Sequence, residues 1–264
     1  MEILRQHADP RIRRFVRSFA ERHATLGEGV ITAPLPARPD QFIEFYLQDR
    51  YRVSHDDAPP EFAPEFVVVG PQSYRSTRLF LSGSLQVFTI RFQPGGFNAL
   101  FGVPMTELVD EGVAAADVLG PIASGLREAV LRARSFPERA EAAQRWIMAR
   151  AEQASPVDRV ARLAALIERS HGRLRIDALA RFAGLSDRQF TRRFETQVGL
   201  QPKLFQRTIR FNAVLTAKAN APGSAWGPLV HEAGYADQSH FIRDCHALAG
   251  GPPKAFFAEW VKGR

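Results

Sequence analysis

The chain has 264 residues, 45% of them hydrophobic and 24% charged, an ordinary core-forming composition that excludes intrinsic disorder and suggests two domains at roughly 150 residues per domain. A single cysteine, Cys245, excludes an internal disulfide framework and any multi-cysteine zinc site, as expected of a reducing, cytoplasmic setting. The net charge of +7 is unevenly placed: Val157 to Arg264 carries 17 Lys+Arg against 9 Asp+Glu, a net +8, and the residues before it net −1. A basic part joined to a near-neutral one points to a polyanion-binding module with a separate control or assembly module.

The opening residues Met1 to Phe15 mix four arginines with His7, Asp9 and Pro10, so no signal peptide is expected there. No stretch reaches the roughly 18 apolar residues of a membrane helix, and no membrane partner is expected. Strands are predicted at Phe42–Leu47, Phe66–Val69, Arg78–Leu81 and Gln86–Phe92. In the last of these, Phe88, Ile90 and Phe92 alternate with Val87, Thr89 and Arg91. Pro, Gly and Asp clusters such as 55–60 and Gly70-Pro71 punctuate this region. After Gly95-Gly96 the pattern turns helical, with Pro121–Arg134 and Pro137–Gln153 forming a helical hairpin over about 120–152.

Ser155-Pro156-Val157-Asp158 reads as a domain boundary, with Ser155 as N-cap, Pro156 at the first helical position and Asp158 in the first turn. The helix it opens carries Val160, Leu163, Leu166 and Ile167 on its apolar face and ends near Gly172. No strand signal follows. The expected fold is therefore α+β and multidomain: residues 1–152 are β-rich and fold without the rest, and residues 157–264 are all helical.

Two segments about fifty residues apart repeat one plan. In Ile176–Gly199, a short helix burying Leu179 and Ala180 meets Gly184 at a turn. Ser186 then caps a second helix anchored by Phe190 and Phe194. In Trp226–Gly250, Leu229 and Val230, Gly234-Tyr235, the cap Asp237 and the anchors Phe241 and Cys245 follow the same order with one more residue in the turn. These are helix-turn-helix units, in which glycine supplies the left-handed turn and anchors four apart hold one face in the core. The opposite faces carry Arg188, Gln189, Thr191, Arg192 and Glu195 in the first unit and Gln238, Ser239, Ile242 and Arg243 in the second. Arg suits guanine O6/N7 and Gln suits adenine N6/N7 in the major groove of double-stranded DNA. Pro202–Asn220 reads as a joining helix of about 18 residues, roughly 27 Å long, on which Lys203, Arg207 and Arg210 are candidate phosphate contacts.

From about Val157 to Phe257 the sequence resembles the AraC/XylS family of bacterial transcription regulators. The resemblance rests on the Ala-Gly-Leu-Ser turn, Arg-Arg-Phe-Glu, Gly199-Leu200-Gln201-Pro202, the run Gly234 to Phe241 and the closing Gly-Pro-Pro-Lys-Ala-Phe. It implies two units entering successive major grooves on one face of DNA, with RNA polymerase as a further partner. Four places depart from the pattern: Arg193 stands at an apolar position, Val230 at an Ala position, Cys245 at a Phe position, and Asp244-Cys245-His246-Ala247 lacks the usual basic residues. The second unit is thus expected to hold DNA more weakly. More loosely, Phe92-Gln93-Pro94-Gly95-Gly96-Phe97, Gly102-Val103-Pro104 and Glu107 to Asp110 resemble the sensor-like domains of some family members. That implies a cupin-like β domain that binds a small molecule or pairs subunits as a homodimer.

An enzyme fused to a DNA-binding module is the remaining alternative. Cys245 as a nucleophile is opposed by its anchor position. His231, His240 and His246 lack Cys or carboxylate partners at ligand spacing, so no metal or cofactor is expected. His55-Asp56-Asp57 and Ser73 come without a Gly-x-Ser-x-Gly elbow. The leading expectation is a sequence-specific regulator controlled by an effector in its N-terminal domain, ahead of one whose N-terminal domain serves only assembly.

Overall fold

The computed structural model describes every residue except Met1, Glu28, Arg75 and Arg264. Its strands are β1 (Glu2–His7), β2 (Val16–Thr25), β3 (Ile31–Leu35), β4 (Phe42–Tyr46), β5 (Arg52–His55), β6 (Glu61–Phe62), β7 (Phe66–Val69), β8 (Thr77–Leu81), β9 (Ser84–Phe92) and β10 (Gly112–Ala114). They form a six-stranded sheet in the order β1-β2-β9-β4-β7-β10 and a four-stranded sheet in the order β3-β8-β5-β6. Alternation divides the inner strands of the larger sheet between two cores. Ile43, Phe45, Phe66, Val68, Phe88, Ile90 and Phe92 face a core shared with helices. Tyr46, Val67, Leu85 and Val87 face the smaller sheet, with Tyr51 and Leu81.

The helical side is covered by α1 (Gly96–Phe101), a 3-10 turn at Met105–Leu108, α2 (Ala115–Leu119), α3 (Ile122–Arg132) and α4 (Phe136–Ala151). α3 and α4 are the expected hairpin, and α4 opens one residue earlier than its proline, with Ser135 as cap accepting from Glu138 N. α4 is tied to β2 by a buried pair: Arg139 Nε lies 2.7 Å from Glu21 Oε2, with Arg139 7% and Glu21 1% exposed.

Then follow α5 (Arg159–Arg169), α6 (Ile176–Ala183), α7 (Asp187–Val198), α8 (Pro202–Asn220), α9 (Trp226–Glu232), α10 (Gln238–Ala249), α11 (Pro253–Trp260) and a 3-10 turn at Val261–Gly263. The cap of α5 is Asp158, whose carboxylate accepts from Val160 N at 2.7 Å; this corrects Ser155 and Pro156, which lie before the helix. Leu166 is 38% exposed rather than on the buried face, because the buried stripe runs through Val160, Ala161, Leu163, Ala164 and Ile167.

The N- and C-terminal parts each have their own cores, yet they are packed together. Ala37 belongs to the core of the second helix-turn-helix, Gln41 Nε2 donates to Val198 O at 3.1 Å, and Arg17 pairs with Glu168. Asn212 Nδ2 donates to Ala37 O at 2.8 Å, and Ala37 N donates to Leu248 O at 2.8 Å. Separating the parts would uncover Ala37 and leave these polar groups without their partners.

Candidate nucleic-acid interface and inter-sheet cavity

Each helix-turn-helix begins with a short helix ended by glycine geometry. Gly184 caps α6 at φ 71°, and Gly234 follows α9 at φ 87°, conformations that cost a residue with a Cβ. Ser186 opens α7 through a reciprocal capping box with Gln189, and Asp237 opens α10 by accepting from His240 N at 2.7 Å. The anchors Phe190, Phe194, Phe241 and Cys245 are all fully buried. Burial pushes the Cys245 thiol up to about 12, so it stays protonated at neutral pH and acts as a small apolar filler.

Arg188, Gln189 and Arg192 on α7 and Gln238, Ser239, Ile242 and Arg243 on α10 are exposed, and Thr191 and Glu195 are half-buried on the same side of α7. Asp187, Arg188, Gln189, Thr191, Arg192 and Glu195 line one shallow concavity. Gln189 has a second duty, since its Oε1 accepts from Ser186 N at 3.0 Å and from Ser186 Oγ at 3.0 Å. That leaves only its Nε2 for a base. Arg193 is exposed, so its departure from an apolar residue leaves the core intact.

α8 spans 19 residues, about 28 Å, between the two units. Of its three candidate phosphate contacts only Lys203 is exposed. Arg207 places Nε 3.0 Å and Nη2 2.7 Å from Asp244 Oδ1, with Nη1 3.0 Å from Tyr74 Oη. Arg210 donates to Gly172 O at 2.9 Å and lies over the Tyr235 ring. Both arginines brace the helices internally, because Asp244 and the open carbonyl of Gly172 are buried acceptors that need a donor. Of the candidate phosphate contacts, Arg207 and Arg210 thus hold internal partners. This also explains Asp244, which stands where a basic residue was expected: it is 2% exposed and joins Arg207 to the Tyr235 hydroxyl at 3.0 Å.

The enzyme-like residues have structural partners. Ser73 Oγ bonds Asp110, and His55 Nδ1 lies 3.0 Å from Thr77 Oγ1. His240 sits edge-on to Tyr235.

Sequence reasoning missed a cavity of about 470 Å³ between the sheets. Its walls combine Leu35, Val53, Val67, Val69 and Leu79 with Arg22, Arg38, Glu44, Tyr46, Tyr51 and Gln72. That mixture is typical of a ligand site. Arg22 in β2 pairs with Glu44 at 2.6 Å, and Thr89 also reaches Glu44 at 3.3 Å. The available signal was a charged residue inside an otherwise apolar strand, as at Glu44 between Ile43 and Phe45.

Residues 179–259 match a family of helix-turn-helix domains, and residues 7–114 match a family described as a domain of unknown function, DUF6597. No curated protein matches the chain in sequence. Among solved structures the chain is similar to ToxT from Vibrio cholerae, with a TM-score of 0.50 and 10% identity over 91% of this chain and 98% of that one. An apo ToxT variant gives 0.51 and 13% over 97% of this chain and 100% of that one. ToxT bound to an unsaturated fatty acid gives 0.50 and 10% over 90% and 94%. At these identities the likeness is one of fold, and it spans both parts of the chain. Residues 7–114 are accordingly a DUF6597 domain and residues 179–259 a helix-turn-helix domain, on a fold similar to that of ToxT.

Proposed function

We propose that the chain reads two successive major-groove segments of one duplex with α7 and α10, and that a small molecule in the inter-sheet cavity controls this binding. The observation that carries the reading is the pairing of two capped helices with the same plan. Each is fixed by buried anchors and exposes Arg with Gln, and the two are joined by a 19-residue helix. A spacer of about 28 Å with flanking turns suits reading heads one helical turn apart, about 34 Å. For the cavity, the support is its mixed lining and a fold shared with a protein that has been solved holding an unsaturated fatty acid. The small molecule is assigned an apolar body and a polar end.

The test is the salt dependence of duplex binding by the full chain. If about 6–10 phosphates are neutralised, log K against log salt slopes at about −5 to −9. A flat response contradicts the reading. Arg192→Ala and Arg243→Ala each relax base preference and cost about 1–3 kcal/mol on a selected duplex, with the larger loss at Arg192. Competition titrations against mismatched duplexes check this. Equal, sequence-independent losses would mark both as phosphate contacts.

A further inference from the structure

Arg38 and Gln72 form an isolated antiparallel bridge. Arg38 N donates to Gln72 O at 3.0 Å, and Gln72 N donates to Arg38 O at 2.8 Å. Such a pair places both side chains on the same face, as near neighbours, and both line the inter-sheet cavity. Each also carries a buried polar atom that meets no partner among the described residues: the donor Nε of Arg38 and the acceptor Oε1 of Gln72. Buried orphans of this kind call for an explanation, and a ligand is one. The nearby carboxylates are engaged elsewhere, Asp40 with Arg91 and Glu44 with Arg22. Arg38 rests on the Phe42 ring, and burial lowers its pKa from the usual arginine value. A guanidinium stays protonated even so, and a desolvated cation favours an anion.

The chain neighbours of this pair reach both reading heads. Ala37 is bonded to α8 through Asn212 and to α10 through Leu248, and it is 3% exposed within the core of the second unit. Pro71 is seated against Gly199, the C-cap of α7: a Cβ on Gly199 would lie 2.5 Å from Pro71 Cγ.

We propose that the Arg38–Gln72 pair is the headgroup site of the effector. The effector is a hydroxy acid with an apolar body, its carboxylate accepting from Arg38 and its hydroxyl donating to Gln72, and the pair passes occupancy to α10 through Ala37 and to α7 through Pro71. This rests on the reading of the cavity as the effector site. The apolar walls take the body, and the charged donor beside a neutral acceptor selects a headgroup that offers both an anionic oxygen and an O–H. Coupling follows if the ligated arrangement favours or disfavours the DNA-bound placement of the heads, since a ligand shifts an equilibrium only by its differential affinity.

The experiment is calorimetric titration of the full chain with 3-hydroxydecanoate, decanoate and 3-hydroxydecanamide. It is run on the wild type, Arg38→Met, Gln72→Leu and the cavity-filling Leu79→Trp, each first shown to be folded by circular dichroism. In the wild type, 3-hydroxydecanoate binds about 10- to 100-fold more tightly than the amide and about 3- to 10-fold more tightly than decanoate. Arg38→Met removes the first difference, Gln72→Leu removes the second, and Leu79→Trp abolishes binding. Saturating 3-hydroxydecanoate also changes the affinity for a duplex selected from a random pool, and Arg38→Met binds that duplex without the response. If the three compounds bind alike, or their differences survive in the two variants while Leu79→Trp still blocks binding, the headgroup assignment is overturned and the cavity remains the effector site. If none binds, or Leu79→Trp changes nothing, the cavity reading falls and this assignment with it. Unchanged duplex affinity at saturation overturns the coupling.

Discussion

Phe190→Ala lowers the stability of the chain by about 3–5 kcal/mol and abolishes duplex binding. The ring is fully buried, its centroid is 5.8 Å from that of Phe194, and Phe194 meets Phe205 of α8 edge-on at 5.3 Å. Truncation leaves a void bounded by rigid aromatic rings on the reading helix and the spacer helix, which cannot collapse without moving both. The lost transfer energy and the void therefore add, and the face carrying Arg188 and Arg192 loses its support. Urea denaturation of the full chain, followed by tryptophan fluorescence, measures the midpoint, and fluorescence anisotropy with a labelled duplex measures binding. A variant with wild-type stability would show that the anchors are not the scaffold of the reading face.

Glu21→Ala is equally damaging for an electrostatic reason. It leaves the Arg139 guanidinium buried without its carboxylate, a loss of about 3–5 kcal/mol. Arg139 Nη2 lies 3.1 Å from Glu21 Oε1, which also accepts from Gln86 Nε2 at 2.9 Å and has His23 Nε2 at 2.8 Å. Burial pushes the Glu21 carboxyl up, but its hydrogen bonds to Arg139 and Gln86 win, and its pKa lies below the ordinary value of 4.5. A depressed carboxyl contributes stability that is present above the ordinary pKa and lost as pH falls through the folded one. The wild-type advantage over Glu21→Ala is thus full at pH about 7 and shrinks on acidification below about 4. Thermal melts of both proteins across that range check the sign; a gap that widens in acid contradicts it.

Patterns carried by local periodicity were readable from the sequence alone. β7 was placed at Phe66–Val69, and β4, β8 and β9 were placed within one or two residues at each end. Strict alternation or a continuous apolar run marks a half-buried or buried strand. The unseen strands lack that signal. β1 is exposed on both faces, β2 shifts register between Val16 and Ser18, β3 carries Pro34 at a sheet edge, and β5, β6 and β10 are short. Turn glycines and caps located both helix-turn-helix units because capping is local chemistry. The internal pairing of Arg207 and Arg210 and the cavity at Arg38 and Gln72 depend on partners distant in sequence, Asp244 for Arg207, Gly172 for Arg210 and Gln72 for Arg38. Charge by itself marks a residue as exposed, and only tertiary packing shows which arginines are turned inward.

Hydroxyl-radical footprinting of the full chain on a duplex selected from a random pool tests the two-headed reading most directly. The structure predicts two protected tracts on one face, centred about 10–10.5 base pairs apart. Arg192→Ala weakens one tract and Arg243→Ala weakens the other. A single tract that is indifferent to Arg243→Ala would contradict a second reading head on α10.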